Sequence, residues 1–301
     1  MVKKALTVWL AALLSVFLAA GCTSTPRSDG SKMPDPIKLA VTDIQGLEEL
    51  QRDFGFFRAE LEKTLGVKVE FFPVSDRTAA VAALETDQVD LVFTGPAEYV
   101  VVRAKADAIP VIGITRPGYH SLIVVHADSP YHTLQDLKGK KVAMSDVGST
   151  SGHLGPSKIL IDTGLKPGTD VEVLTLGDGF LAAFYNKDTD ALGCNLTDLE
   201  ILMQELGVER NQLRVLQQGP ALPNDVFVLN KKYSDEVVTE IRDKMKENES
   251  SLVDAILKAG SGDTMKYRGA ELVPADDKQY DYVRGMYEAI GVNDFSEFVG
   301  D

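Results

Sequence analysis

From residue 37 onward, short apolar runs rich in β-branched residues alternate with longer amphipathic stretches, a pattern that predicts strands alternating with helices. Residues 37–43 (IKLAVTD) read as a strand and residues 47–65 as an amphipathic helix stopped by Gly66. A strand over 68–72, a helix over 78–85 and a strand over 89–93 follow. The next helix opens at Thr94-Gly95-Pro96, where proline near the first helical position costs little because its missing N–H would have no partner there. Beyond Tyr119 the pattern restarts: strands over 120–127, 140–146, 171–176 and 191–196, helices over 151–163, 180–185 and 198–206, then a strand at 225–229. Residues 234–301 read as mostly helical with charged faces. Such alternation predicts an α/β fold with parallel-rich sheets covered by helices. It suggests two similar lobes joined by two crossing strands, near residues 117–125 and 220–229.

A chain of 301 residues with 44% apolar content buries a sizeable core and makes one two-lobed body or two domains. Its net charge of −14 argues against a nucleic-acid or anionic-membrane surface, both of which need clustered Lys and Arg. An anionic ligand must therefore be held by local groups against the global field.

The N-terminus sets the expected compartment. Lys3 and Lys4 precede an apolar run, residues 5–20, that is short for a transmembrane helix and ends in small residues, as a secretory signal does. The sequence Leu18-Ala19-Ala20-Gly21-Cys22 is similar to the lipobox of bacterial lipoproteins, which implies lipidation at Cys22, removal of residues 1–21 and a flexible tether over 22–35. An ordinary cleaved signal with Cys22 beside the cut is the alternative. Several acyl chains would anchor such a chain stably to the membrane.

Catalytic signatures are sparse. Once Cys22 is lipidated, only Cys194 remains, and it reads as a buried strand residue. There is no CxxC, HExxH, GxxxxGK[ST] or GxSxG, and His120, His126, His132 and His153 lack metal-ligand spacing. No cofactor is called for and no enzyme is expected.

The run GSTSGHLGP, residues 148–156, places Ser149, Thr150 and Ser151 where a helix begins. A helix start carries unpaired N–H groups and a positive partial charge, so hydroxyls there suit an oxyanion. The plain alternative is one capping hydroxyl with the others solvated.

The surrounding text is similar to the phosphonate/phosphite/phosphate-type periplasmic binding proteins of ABC transporters. The resemblance rests on GYH before a strand, DSP at its end and STSG…P opening a helix, with VDLVFTGPAEYV and LPNDVFVL elsewhere. It implies a two-lobed, type II-like α/β binding fold with a two-strand hinge, divided as lobe 1 over 36–118, lobe 2 over 119–222, and 223–301 crossing back to lobe 1. By that resemblance Ser149, Thr150 and Ser151 form the oxyanion cradle, Tyr119 contacts the same group, and Asp225 accepts from a ligand amine or a protonated oxyanion oxygen. A buried hinge tie is the other reading for Asp225, and a core aromatic for Tyr119.

Two departures bear on the ligand. Arg77 stands where the family often has a Tyr, and is either an oxyanion fork or a solvated first-turn residue, with Thr78 as a further donor. The family's His near residue 178 is missing from LGDGFLAAF; His153 is a possible substitute or a partly exposed residue. Asp198 lies near the acid that aminoalkylphosphonate binders use, and equally suits a helix first turn. The expectation is a site built from the helix start at Arg77-Thr78, the loop at Thr94-Gly95, and residues 149–151. It would take phosphonate or phosphite first, then phosphate, in a monomeric, lipid-anchored receptor on the periplasmic side that hands its ligand to an ABC permease. A membrane-tethered sensor presenting its closed form to a signalling kinase is the alternative. In cells fed labelled palmitate, the chain is expected to take label and Cys22→Ser to lose it; labelled Cys22→Ser contradicts the lipobox reading.

Overall fold

The computed structural model describes residues 32–75 and 79–293. The expected signal, Cys22, Arg77 and Thr78 lie outside the described residues. In chain order the strands are β1 Ile37–Val41, β2 Val69–Phe71, β3 Leu91–Thr94, β4 Ile109–Ile114, β5 His120–His126, β6 Lys141–Met144, β7 Glu172–Thr175, β8 Ala191–Cys194, β9 Leu213–Ala221, β10 Asp225–Leu229 and β11 Leu272–Val273. The helices are α1 Leu47–Leu65, α2 Ala79–Glu85, α3 Pro96–Ala106, α4 Gly155–Asp162, α5 Phe180–Tyr185, α6 Leu196–Glu205, α7 Asp235–Glu247, α8 Glu249–Leu257, α9 Gly262–Met265 and α10 Asp281–Ala289.

The strands form two mixed sheets, ordered β11-β4-β10-β3-β1-β2 and β7-β6-β8-β5-β9. In each, a parallel trio continues into antiparallel strands: β1 pairs parallel with β2 and β3, and β6 with β7 and β8, while β10 and β5 run against their neighbours. The chain leaves the first sheet after Ile114 and enters the second at His120, then returns between Ala221 and Asp225. A backbone bond from Leu222 N–H to Tyr119 O, 2.9 Å, ties the two crossings together.

Burial on both faces explains the near-continuous apolar strands: all five residues of β10 and all four of β3 are buried. Helices α1, α7 and α8 cover one face of the first sheet, where Phe54, Phe57, Ile241 and Leu252 share a core with Phe93 and Phe227. Helices α2, α3 and α10 cover the other, in a core that also takes in Tyr119, Leu154 and Leu222. The second sheet is covered by α5 and α6 on one face and α4 on the other.

Helix α1 runs over the expected residues and ends as expected, Gly66 adopting φ +76° while its N–H bonds to Glu62 O. Strands β4 and β9 were not expected from the sequence. The expected helix over 151–163 begins differently, as a wide turn over Thr150–Leu154 in which Leu154 N–H reaches Ser149 O at 2.9 Å. Pro156 has no N–H to offer Gly152 O, and that carbonyl instead accepts from Ser145 N–H at 3.1 Å, fastening the turn to the end of β6. Gly152 permits that approach, since a Cβ there would stand 2.6 Å from the Ser145 Cβ.

The first sheet's core centres on the stacked rings of Phe93 and Phe227, 4.2 Å apart, with Phe57 5.6 Å from Phe227. Truncation to Phe227→Ala is expected to cost about 3–5 kcal/mol in urea unfolding; a loss below about 1 kcal/mol would mean that this stack is not central to the core.

Candidate ligand site at the seam of the two sheets

The elements converge on a cavity of about 440 Å³ between the two sheets. Its wall takes Gly95, Pro96 and Glu98 from the start of α3, Arg116 and Tyr119 from the first crossing, residues 149–152 from the wide turn, Phe180 and Leu181 from α5, Asn195, Thr197, Asp198 and Ile201 from the start of α6, and Lys266 after α9.

The three hydroxyls expected at the site all line this cavity, and each already has a structural partner. Ser149 caps the wide turn, its Oγ accepting from Gly152 N–H at 3.3 Å. Thr150 Oγ1 accepts from Ala97 N–H at 3.0 Å, a bond from the first turn of α3, beside the first sheet, to the turn that follows β6 in the second. Ser151 Oγ accepts from Asn195 Nδ2 at 3.0 Å. Capping and ligand contact are therefore compatible for these residues, because a hydroxyl that accepts a bond still has a hydrogen to donate.

Asn195 is a residue that the sequence reading passed over. Its Oδ1 accepts from the N–H groups of Thr197 and Asp198, while Asp198 Oδ2 accepts from Asn195 N–H at 2.8 Å. This reciprocal cap fixes the start of α6 and aims the Asn195 amide at Ser151. The sequence N-L-T-D carries the signal of such a cap, with asparagine in place of serine or threonine. Asp198, at the cavity wall, has its carboxyl pushed up to about 6 by burial, against the Asn195 N–H bond and Arg116, which lower it.

The other candidates are placed as follows. Tyr119 is 8% exposed, and burial raises its hydroxyl above the usual range while Arg116 pulls it down. Asp225 stands behind the cavity wall, fully buried: Oδ2 accepts from the Tyr267 hydroxyl at 2.6 Å and Oδ1 lies 3.6 Å from Arg116 Nη1. Thr94 is one layer back, accepting from the Thr42 hydroxyl at 3.1 Å, beside a small hollow shared with Asp43, Lys266 and Tyr267. His153 does not line the cavity; its Nδ1 accepts from Gly148 N–H at 3.1 Å, and burial lowers its pKa. Cys194 is buried and its thiol is pushed well above the ordinary value by burial.

Two cations at the wall were also missed. Lys266 Nζ bonds to Asp43 Oδ2 at 2.9 Å. Burial works most strongly against its charge, but Asp43, Asp225 and Asp263 together more than compensate and its pKa is raised. The Arg116 guanidinium lies 3.6 Å above the Tyr119 ring, and although burial opposes its charge, Tyr119 and then Asp225 hold its proton above the usual arginine range. Against them stand Asp43, Glu98, Asp146, Asp178, Asp198, Glu205 and Asp263 at the same wall.

Two mixed sheets, two crossings and a polar cavity at the seam make the two-lobed fold found in periplasmic binding proteins. A family model for the periplasmic phosphonate substrate-binding proteins of ABC transporters matches residues 39–280, and the chain belongs to that family. This is a family of substrate-binding proteins, not of enzymes. The phosphate-import protein PhnD of Mycolicibacterium smegmatis is 28% identical over 306 residues, which covers 93% of this chain and 95% of that one. The phosphonates-binding periplasmic protein of Escherichia coli is 27% identical over 218 residues, covering 69% and 64%. Among solved structures, PhnD1 of Prochlorococcus marinus in complex with methylphosphonate shares the fold with a TM-score of 0.66 at 20% identity, over 86% of this chain and 100% of that one. No helix among the described residues is long and apolar enough to cross a membrane.

The raised Asp198 pKa has a consequence for stability. Between the ordinary value of 3.8 and about 6 the folded protein holds this proton more tightly than the unfolded chain, so the group's contribution is full below pH 4 and is lost as pH rises through 6. Asp198→Asn is expected to lose about 2 kcal/mol less than wild type between pH 4 and 7 in urea unfolding; parallel pH profiles would show an ordinary, solvated carboxylate.

Proposed function

We propose that the protein captures a small phosphorus oxyanion between its two sheets and delivers it to an ABC permease, binding phosphonate or phosphite ahead of phosphate. The observation that carries this reading is the bond from Ala97 N–H to Thr150 Oγ1, which joins the hydroxyl run of one lobe to a helix start of the other at the cavity wall. A ligand oxygen accepting from residues 149–151 would sit where the lobes meet. It would bind the closed form better than an open one and shift the population toward closure.

Phosphonate comes before phosphate because Phe180, Leu181 and Ile201 give the cavity an apolar side. A P–C or P–H group rests there without a lost hydrogen bond, whereas a fourth phosphate oxygen would need a donor. The many carboxylates at the wall also favour a phosphonate that brings an ammonium group to donate. The names of the relatives support the class without choosing within it, one being a phosphate-import protein and another phosphonates-binding. Since the family model describes a transporter component, a permease is the partner we put forward. Cys22 would carry the lipid that keeps this monomeric receptor at the membrane on the periplasmic side.

Calorimetric titration with methylphosphonate, aminoethylphosphonate, phosphite and phosphate, with sulfate as control, tests the reading. The first three should bind more tightly than phosphate, and the double variant Ser149→Ala, Thr150→Ala should weaken every one of them by about 100-fold, as expected for two charge-assisted bonds. Unchanged affinity in the double variant would remove the hydroxyl run from the site.

A further inference from the structure

Arg116 differs from the other charged groups around the cavity in what its hydrogen atoms do. The side chain is 11% exposed, yet none of its N–H groups has an acceptor within hydrogen-bond distance among the described residues. Its ion pair with Asp225 is 3.6 Å long, and Asp225 Oδ1 is itself a buried oxygen without a hydrogen bond. A guanidinium whose task was to neutralise Asp225 would close a bidentate fork on it at about 2.8 Å. Here the group lies flat on Tyr119, held by ring contact and charge, with its donors unspent at the cavity wall. Lys266 makes the contrast, because its ammonium is already bonded to Asp43.

Donors that open on a cavity with no protein acceptor are left for whatever enters the cavity to complete. Resting on the phosphorus-oxyanion reading above, we propose that Arg116 is a direct ligand of the oxyanion and the residue that selects a dianionic head over a monoanionic one. Asp225 and Tyr119 act as its mount. Asp225 compensates the charge from a distance that leaves the fork open, and the Tyr119 ring, 3.6 Å away, fixes the guanidinium plane. Two oxygens of the ligand would take the fork while a third takes the hydroxyls of residues 149–151. A monoanion with only two oxygens cannot fill both. The ligand would thereby contact the first crossing directly, at the point where the two halves are joined.

The test compares methylphosphonate with methylphosphinate, a monoanion on the same carbon-bearing phosphorus with one oxygen fewer, by calorimetry on wild type, Arg116→Gln and Arg116→Lys. Wild type should favour methylphosphonate. Arg116→Gln should weaken methylphosphonate by about 100-fold and methylphosphinate by less than about 5-fold, so that the preference collapses; Arg116→Lys, which keeps the charge but not the fork, should fall between. If Arg116→Gln fails to fold, Arg116→Lys alone decides through the same preference. Equal losses for both ligands would show a merely structural hinge residue, and affinities within about twofold of wild type would show no role, either of which overturns the proposal. Wild-type protein that binds neither ligand nor any other phosphorus oxyanion would instead overturn the functional reading, and this inference with it.

Discussion

The buried carboxylate of Asp225 is the point on which the rest of the molecule turns. It opens β10 at the second crossing, is wholly removed from solvent, and is met by groups from two distant parts of the chain: Arg116 of the first crossing and Tyr267 beyond α9. An unaccompanied charge at that depth would be prohibitive, so the two crossings and the C-terminal segment have to come together for any of them to be stable there. The same requirement places a guanidinium, a tyrosine ring and a lysine at one end of the cavity, since Tyr119 follows Arg116 along the first crossing and Lys266 precedes Tyr267.

From that anchor the site acquires its two-sidedness. The second sheet supplies residues 149–151 through a turn that Pro156 and Gly152 fasten to β6, and the first supplies the start of α3. The Ala97–Thr150 bond shows both halves already in contact across the cavity. A protein of net charge −14 can still present positive groups to an anion when those groups are buried, because their field is felt at close range in a low dielectric while the surface charges are screened.

The sequence made much of this legible where the signal was local. Apolar periodicity located α1, α5 and β10, and the STSG…P run and Tyr119 marked the residues that the cavity brings together. Strand β4 escaped notice because IPVIGI carries a proline and a glycine, and β9 because LRVLQQGPA is half polar, a pattern that suits its place at the sheet edge. Arg116, Lys266 and Asn195 escaped for a different reason. Their partners Asp225, Asp43 and Ser151 lie far away along the chain, and no local pattern marks a residue whose meaning is set by a tertiary neighbour.

The account's central claim is that a phosphorus oxyanion sits at the seam, in contact with both lobes. A crystal structure of the protein with the tightest-binding member of the oxyanion panel tests it most directly. The account predicts the phosphorus group within hydrogen-bond distance of the Ser149, Thr150 and Ser151 hydroxyls, with the start of α3 closed over it from the other side. Phosphorus density confined to one lobe, or away from residues 149–151, would contradict it.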